Sequence, residues 1–131
     1  MAGHPNVDRL KGGYDAFNAG DMDTLRERIT DDVVWHIPGQ SPLAGDYKGQ
    51  EDVFNFFGRI FQETNGTFKT EIHDLLANDE HGVGLVRVSA ERGGKSLTQN
   101  VVHVFHLNPE GKTTEFWAFP EDTTVADEFW S

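Results

Sequence analysis

The sequence predicts an α+β fold in which a cone-shaped, curved antiparallel β-sheet wraps around three N-terminal helices. Three observations carry this expectation. Apolar residues recur at helical spacing in the first half, extended and β-branched segments take over after Asn65-Gly66, and short turn sequences join those segments. At 131 residues the chain is near the usual size of one domain, and no repeat or low-complexity linker divides it, so 1–131 reads as a single domain.

Val7, Leu10, Tyr14 and Phe17 share one face of a first helix, although Gly12 and Gly13 each cost about 1 kcal/mol relative to Ala inside a helix. Ala19-Gly20 ends it. Asp21 is a good N-cap for a second, shorter helix with Met22, Leu25 and Ile29 on one face. Val33-Val34-Trp35-His36-Ile37 is a β-branched and aromatic run stopped by Pro38-Gly39, so it reads as a short strand, and residues 40–49 follow as a loop. Glu51 and Asp52 suit the positive end of a helix dipole, and Val53, Phe54, Phe56, Phe57, Ile60 and Phe61 make the third helix largely buried.

Four strands are expected at residues 67–77, 82–92, 95–107 and 112–119. The connections Asn78-Asp-Glu-His81, Gly93-Gly94 and Asn108-Pro-Glu-Gly111 are turn sequences, which predicts an antiparallel meander. Residues 120–131 carry Val125, Phe129 and Trp130 at helix-like spacing and should fold back as a short helix or cap, with Asp122 as its N-cap. A cone of this kind has an apolar inside and a natural small-molecule site at its open end.

Composition narrows the function. Eleven Lys and Arg against 22 Asp and Glu give a formal charge of −11, which repels phosphate backbones and anionic lipid, so neither nucleic acid nor a membrane is an expected partner. The absence of cysteine excludes thiolate nucleophiles, disulfides and Cys-ligated zinc. The start, Met-Ala-Gly-His-Pro-Asn, lacks a basic region followed by an apolar run, and a cytoplasmic location is expected. Ten Phe and three Trp supply walls for a ligand cavity.

Tyr14-Asp-Ala-Phe-Asn-Ala-Gly-Asp-Met-Asp-Thr-Leu25, followed by Thr30-Asp-Asp-Val-Val-Trp-His-Ile-Pro38, resembles the opening of SnoaL-like and ketosteroid isomerase-like proteins of the nuclear transport factor 2-like superfamily. Gly45-Asp-Tyr-Lys-Gly49, the 108–112 turn and Glu115-Phe-Trp-Ala-Phe-Pro-Glu-Asp122 match that layout in order and spacing. The resemblance implies the cone-shaped fold, shared by isomerases, polyketide cyclases, epoxide hydrolases, dehydratases and non-catalytic modules. The isomerases use an Asp base with an oxyanion hole of Tyr and protonated Asp. Aligned on residues 18–21, their tyrosine position is Gly13, their base falls on Ile37, and their proton-donating Asp falls on His103.

His103 is the leading catalytic candidate, since the resemblance places it on the concave face of a central strand, alternation along Gln99-Asn-Val-Val-His-Val-Phe105 sets it there with Gln99, Val101 and Phe105, and imidazole exchanges protons near neutral pH. His36 is a second acid/base candidate. The resemblance favours Trp35 and Ile37 inside, so His36 qualifies only if the strand end twists it inward. Gln99 and Tyr47 are expected to orient a carbonyl, and Trp35, Phe57 and Phe116 to form the apolar wall. No helical His-x-x-x-His pattern appears and His103 and His106 alternate in face, so neither a metal nor another cofactor is expected.

The expected function is cofactor-free acid/base proton transfer, as in an isomerase, cyclase or dehydratase, on a hydrophobic carbonyl compound. The alternatives are a non-catalytic ligand-binding or dimerisation module and an epoxide hydrolase, for which Arg87 is the tempting inner-strand arginine. If Phe116 faces the cavity, Trp117 faces outward and needs cover, so a homodimer is expected.

Overall fold

Helical and extended periodicities divide the chain much as its sequence suggests. The computed structural model describes residues 4–131. The first three residues, part of the start read above as lacking a targeting signal, lie outside the described residues. The order is α1 (Pro5–Ala19), α2 (Met22–Arg28), β1 (Ile29–Ile37), β2 (Gly45–Lys48), α3 (Gln50–Glu63), β3 (Lys69–Ala77), β4 (His81–Arg92), β5 (Lys95–Leu107), β6 (Thr113–Pro120) and α4 (Thr123–Trp130).

The six strands form one sheet in the order β2-β1-β6-β5-β4-β3. From β3 to β6 it is the expected antiparallel meander. The sheet as a whole is mixed, because β1 lies parallel to β6 with Trp35 opposite Phe116. A parallel neighbour needs a long connection, and α3 with the meander supplies it. Two element boundaries also differ from expectation. Ile29 is extended (φ −125°, ψ 153°) and starts β1 instead of ending the second helix. Within the expected 40–49 loop, β2 pairs with β1, Tyr47 opposite Trp35. Four residues with a glycine and two charges carry no strand pattern of their own; the free edge of β1 imposes it.

The concave side holds two apolar clusters. One joins α1, the sheet and α4 through Leu10, Val86, Val88, Phe105, Phe116 and Phe129. The other joins α2, β1 and α3 through Leu25, Val33, Val53, Phe56, Phe57 and Ile60. Trp35, Ile37, Phe68 and Trp130 touch both, and the cavity lies where the two clusters fail to merge.

Glycines on β4 set how closely α1 approaches: a Cβ at Gly84 would strike the Tyr14 hydroxyl, and one at Gly82 would strike Leu10. Asn18 fixes the other end of α1, its side chain bonding the N–H and C=O of Thr70 at 3.1 and 2.8 Å. Asp122 caps α4, accepting from Val125 N–H at 3.2 Å. Arg92 and Lys95 donate to carbonyls at the C-terminal end of α4, where the helix dipole favours cations. No described helix is long and apolar enough to cross a membrane.

Candidate active site

The cavity has a volume of about 200 Å³. Its aromatic wall contains the expected Trp35, Phe57 and Phe116. Trp35 stacks on Phe116 with ring centroids 3.9 Å apart and meets Phe57 edge-on at 5.3 Å. The β5 alternation holds as expected: Gln99, Val101, His103 and Phe105 are buried and line the cavity.

His103 meets a residue the sequence reading passed over. Tyr14 Oη lies 2.6 Å from His103 Nδ1, a buried contact between side chains 89 residues apart. Tyr14 descends from α1 in the gap that Gly84 leaves, and Gly84 pairs with His103 across β4 and β5. Gly13, where the resemblance places the isomerases' tyrosine, lines the cavity without a side chain, and it is the neighbouring Tyr14 that makes the contact. The signal was present in the Leu10, Tyr14, Phe17 stripe, where Tyr14 is the one member with a hydroxyl.

Burial pushes the His103 pKa down to about 3 and raises that of the Tyr14 phenol. Both groups are therefore neutral at physiological pH, and in place of the expected imidazole exchanging protons near pH 7 stands one that burial keeps neutral there. No fully enclosed side-chain nitrogen or oxygen lacks a hydrogen-bond partner among the described residues. His103 Nε2 has none, so it opens onto the cavity. The Gln99 amide nitrogen does likewise, while its Oε1 accepts from Asp122 N–H at 3.2 Å.

Three other expectations are corrected. His36 points away from the cavity, because Trp35 and Ile37 on the same strand point into it. On the outer face its Nε2 lies 2.6 Å from Glu115 and its Nδ1 2.7 Å from Asp46, and its ring stacks on Trp117 at 5.1 Å. Burial opposes its charge, but the bonds to the two carboxylates outweigh burial and raise its pKa. Tyr47 does not line the cavity; its hydroxyl donates to Leu43 C=O at 2.7 Å and its ring packs on Phe56, so it anchors the β1–β2 loop. Arg87 is exposed on the outer face, donating to Asn100 Oδ1 at 3.2 Å, and faces no cavity.

Asp127 is the other residue missed. It lines the cavity from α4, and its Oδ1 accepts the backbone N–H groups of Gln40 and Ser41 at 3.0 and 3.2 Å. Its second oxygen has no partner among the described residues. The contact brings α4 against the loop that follows β1, where Gln40 lies three residues after Ile37, and Asp127 and Ile37 both line the cavity. Spacing within α4 cannot reveal a contact spanning 87 residues. Among the described residues no three or more His, Asp or Glu side chains gather as a metal site.

The chain is 41% identical to Bal32a, from a soil-derived mobile gene cassette, over 96% of each chain with a TM-score of 0.92. An NTF2-like protein of unknown function from Burkholderia pseudomallei K96243 shares the fold at 21% identity and a TM-score of 0.84, over 96% of this chain and 97% of that one. An uncharacterised protein of Mycobacterium tuberculosis (strain ATCC 25618 / H37Rv) is 27% identical over the full length of both. The SnoaL-like domain matches residues 10–116, a span that contains Tyr14 and His103 and stops short of Asp127. With the helices, the sheet and the cavity in the arrangement just described, the chain belongs to the SnoaL-like family, on the nuclear transport factor 2-like fold.

Proposed function

We propose that this protein is a cofactor-free enzyme that moves a proton on a small, largely apolar carbonyl compound, in the manner of an isomerase, cyclase or dehydratase. The buried Tyr14–His103 hydrogen bond carries this reading, because it sets a neutral donor beside the aromatic wall of a largely apolar cavity. In the proposed arrangement the Tyr14 O–H donates to Nδ1, which leaves the ring proton on Nε2, facing the cavity. A neutral imidazole of depressed pKa is a donor to a developing oxyanion instead of a base, and fixed donors in a water-poor site stabilise such charge strongly. Gln99 N–H supplies a second donor.

The base in this proposal is Asp127, whose Oδ1 is occupied by two backbone N–H groups while Oδ2 has no partner among the described residues. Its carboxylate takes a proton from the carbon beside the carbonyl, the C–H electron pair moves to the carbonyl oxygen under His103 and Gln99, and the proton returns at the product carbon. No electron leaves the substrate, so no redox partner is required. The proposed setting is the cytoplasm, consistent with a chain free of cysteine.

The reaction is readable without the natural substrate, by following deuterium incorporation beside the carbonyl of small aryl ketones in D₂O. Asp127→Asn keeps an oxygen for the Gln40 and Ser41 N–H groups but removes the base, and should lower exchange by about 10²–10⁴-fold. Unchanged exchange in that variant would remove Asp127 from its role. Tight ketone binding by wild type with no exchange would favour the non-catalytic ligand-binding reading.

A homodimer belongs to the same proposal. The outer sheet face carries Leu76, Val102 and Phe119, which are 52%, 36% and 53% exposed. Trp117 beside them is covered only in part, by His36 and His106. An apolar strip on a sheet face is what a second copy would bury. Phe119→Lys should convert a dimeric sedimentation profile to a monomeric one; a wild type that sediments as a monomer at micromolar concentration rules the dimer out.

A further inference from the structure

The two ends of the cavity carry opposite charge. Strands β1 and β6 run parallel, so their starts lie together and their finishes lie together. At the finishing end the cavity is lined by Pro38, Pro120 and the carboxylate-bearing Asp127. At the starting end, where Ile29 pairs with Thr113, it is lined by Arg9, Arg28 and Gly111.

The two glycines that weaken α1 acquire a purpose there. A Cβ at Gly12 would come within 3.1 Å of Arg28 Nη2, so the guanidinium lies directly over this glycine. A Cβ at Gly13 would meet nothing within 4 Å, although Gly13 lines the cavity, so the helix backbone there borders open space. Arg9, one helical turn before, lies across Gly111 in the β5–β6 turn. Arg28 therefore borders the cavity over α1, and Arg9, itself exposed to solvent, borders it over the turn, so this end forms a solvent-facing lip.

Among the described residues neither guanidinium has a carboxylate partner. The arginine ion pairs among the described residues are Arg59–Glu63 and Arg92–Glu63. Arg9 donates to the neutral Asn6 Oδ1 at 2.7 Å, and Arg28 has no hydrogen bond to a described residue. In a chain of formal charge −11, carboxylates outnumber cations two to one, so two guanidiniums without a carboxylate at one lip stand against the overall composition. Guanidinium groups bind carboxylates by paired, charge-assisted hydrogen bonds.

We propose that the cavity takes an amphipathic organic monocarboxylate, its carboxylate held between Arg9 and Arg28 and its apolar, carbonyl-bearing body reaching past Tyr14 and His103 toward Asp127. Repulsion from Asp127 and attraction to the arginines allow one orientation of the ligand. An apolar cavity of about 150 Å³ admits benzene. A volume of about 200 Å³ therefore suits a body of one ring with a short chain, leaving the carboxylate at the lip. This inference rests on the reading that the cavity is the ligand site.

The test is titration calorimetry of the whole protein with ω-phenylalkanoates, from phenylacetate to 6-phenylhexanoate, with their primary amides and with toluene. The acids are expected to bind at least tenfold more tightly than the matched amides, a margin that shrinks as salt rises. Arg9→Gln and Arg28→Gln should each weaken the acids several-fold while leaving the amides unchanged. Gly13→Leu should weaken both. Equal affinity for acids and amides, or an acid preference that survives in the double glutamine variant, overturns the anionic lip and leaves the cavity reading standing. If acids, amides and toluene all fail to bind, the cavity reading falls and this inference with it.

Discussion

Between pH 6.5 and pH 3 the protein is expected to lose on the order of 5 kcal/mol of stability through His103 alone. In the unfolded chain the imidazole takes a proton as pH falls through 6.5. In the folded protein, burial beneath α1 holds that uptake off until about pH 3. The unfolded state therefore binds more protons throughout the window, and stability is present above pH 6.5 and lost as pH falls. His36 acts in another range, since its raised pKa gives stability that is complete below the unfolded value and fades as pH rises through the folded one. The Tyr14 phenol, raised from 10, titrates well above this window.

Urea unfolding of wild type and His103→Asn at pH 7, 6, 5 and 4 isolates the effect. The difference between the two stabilities should change by about 0.7 kcal/mol between pH 7 and 6 and approach about 1.4 kcal/mol per pH unit below pH 5.5, wild type losing ground as pH falls. Parallel curves would mean that His103 takes up its proton in the folded protein over the same range as in the unfolded chain, and an imidazole held neutral by burial would no longer be tenable.

Phe57→Ala is expected to destabilise the fold by about 3–5 kcal/mol, the range for truncating a buried aromatic residue. Phe57 is 3% exposed and joins α3 to α1 and β1 through Phe17 at 5.1 Å and Trp35 at 5.3 Å. The lower end of the range is expected, because Phe57 already borders empty space on its cavity side and fewer packing contacts are lost there. The same truncation enlarges the cavity, so ligands one ring larger than those bound by wild type should become acceptable. Urea unfolding and calorimetry with biphenyl-based acids read the two effects. A loss below about 1 kcal/mol would show that α3 contributes little to closing the second core cluster.

The meander and the inward face of β5 were readable from residues because period-two alternation and turn chemistry are local properties. Gln99, Val101, His103 and Phe105 point where their spacing puts them. Alternation also showed that His36 must oppose Trp35 and Ile37, but which of the two faces turns inward was decided only by the packing of β1 against α3 and β6. The strand status of 45–48 was not local, since Gly-Asp-Tyr-Lys has no pattern and becomes a strand by pairing with an edge.

The site itself divides in the same way. Alternation fixed which residues of each strand share a face, the apolar face of α3 set Phe57 inward, and the family resemblance chose the inward side for Trp35, His103 and Phe116, all of which line the cavity with Gln99. Tertiary structure decided the rest. Tyr14 reaches His103 across 89 residues, through a gap left by a glycine on a neighbouring strand. Asp127 reaches the loop that follows β1 across 87 residues, and Arg28 finds its place over Gly12 of the preceding helix. Burial then converts an imidazole that the residue name presents as a proton exchanger into a neutral donor. A pKa is set by the solvent and charges that surround a group, and only the folded chain supplies that environment.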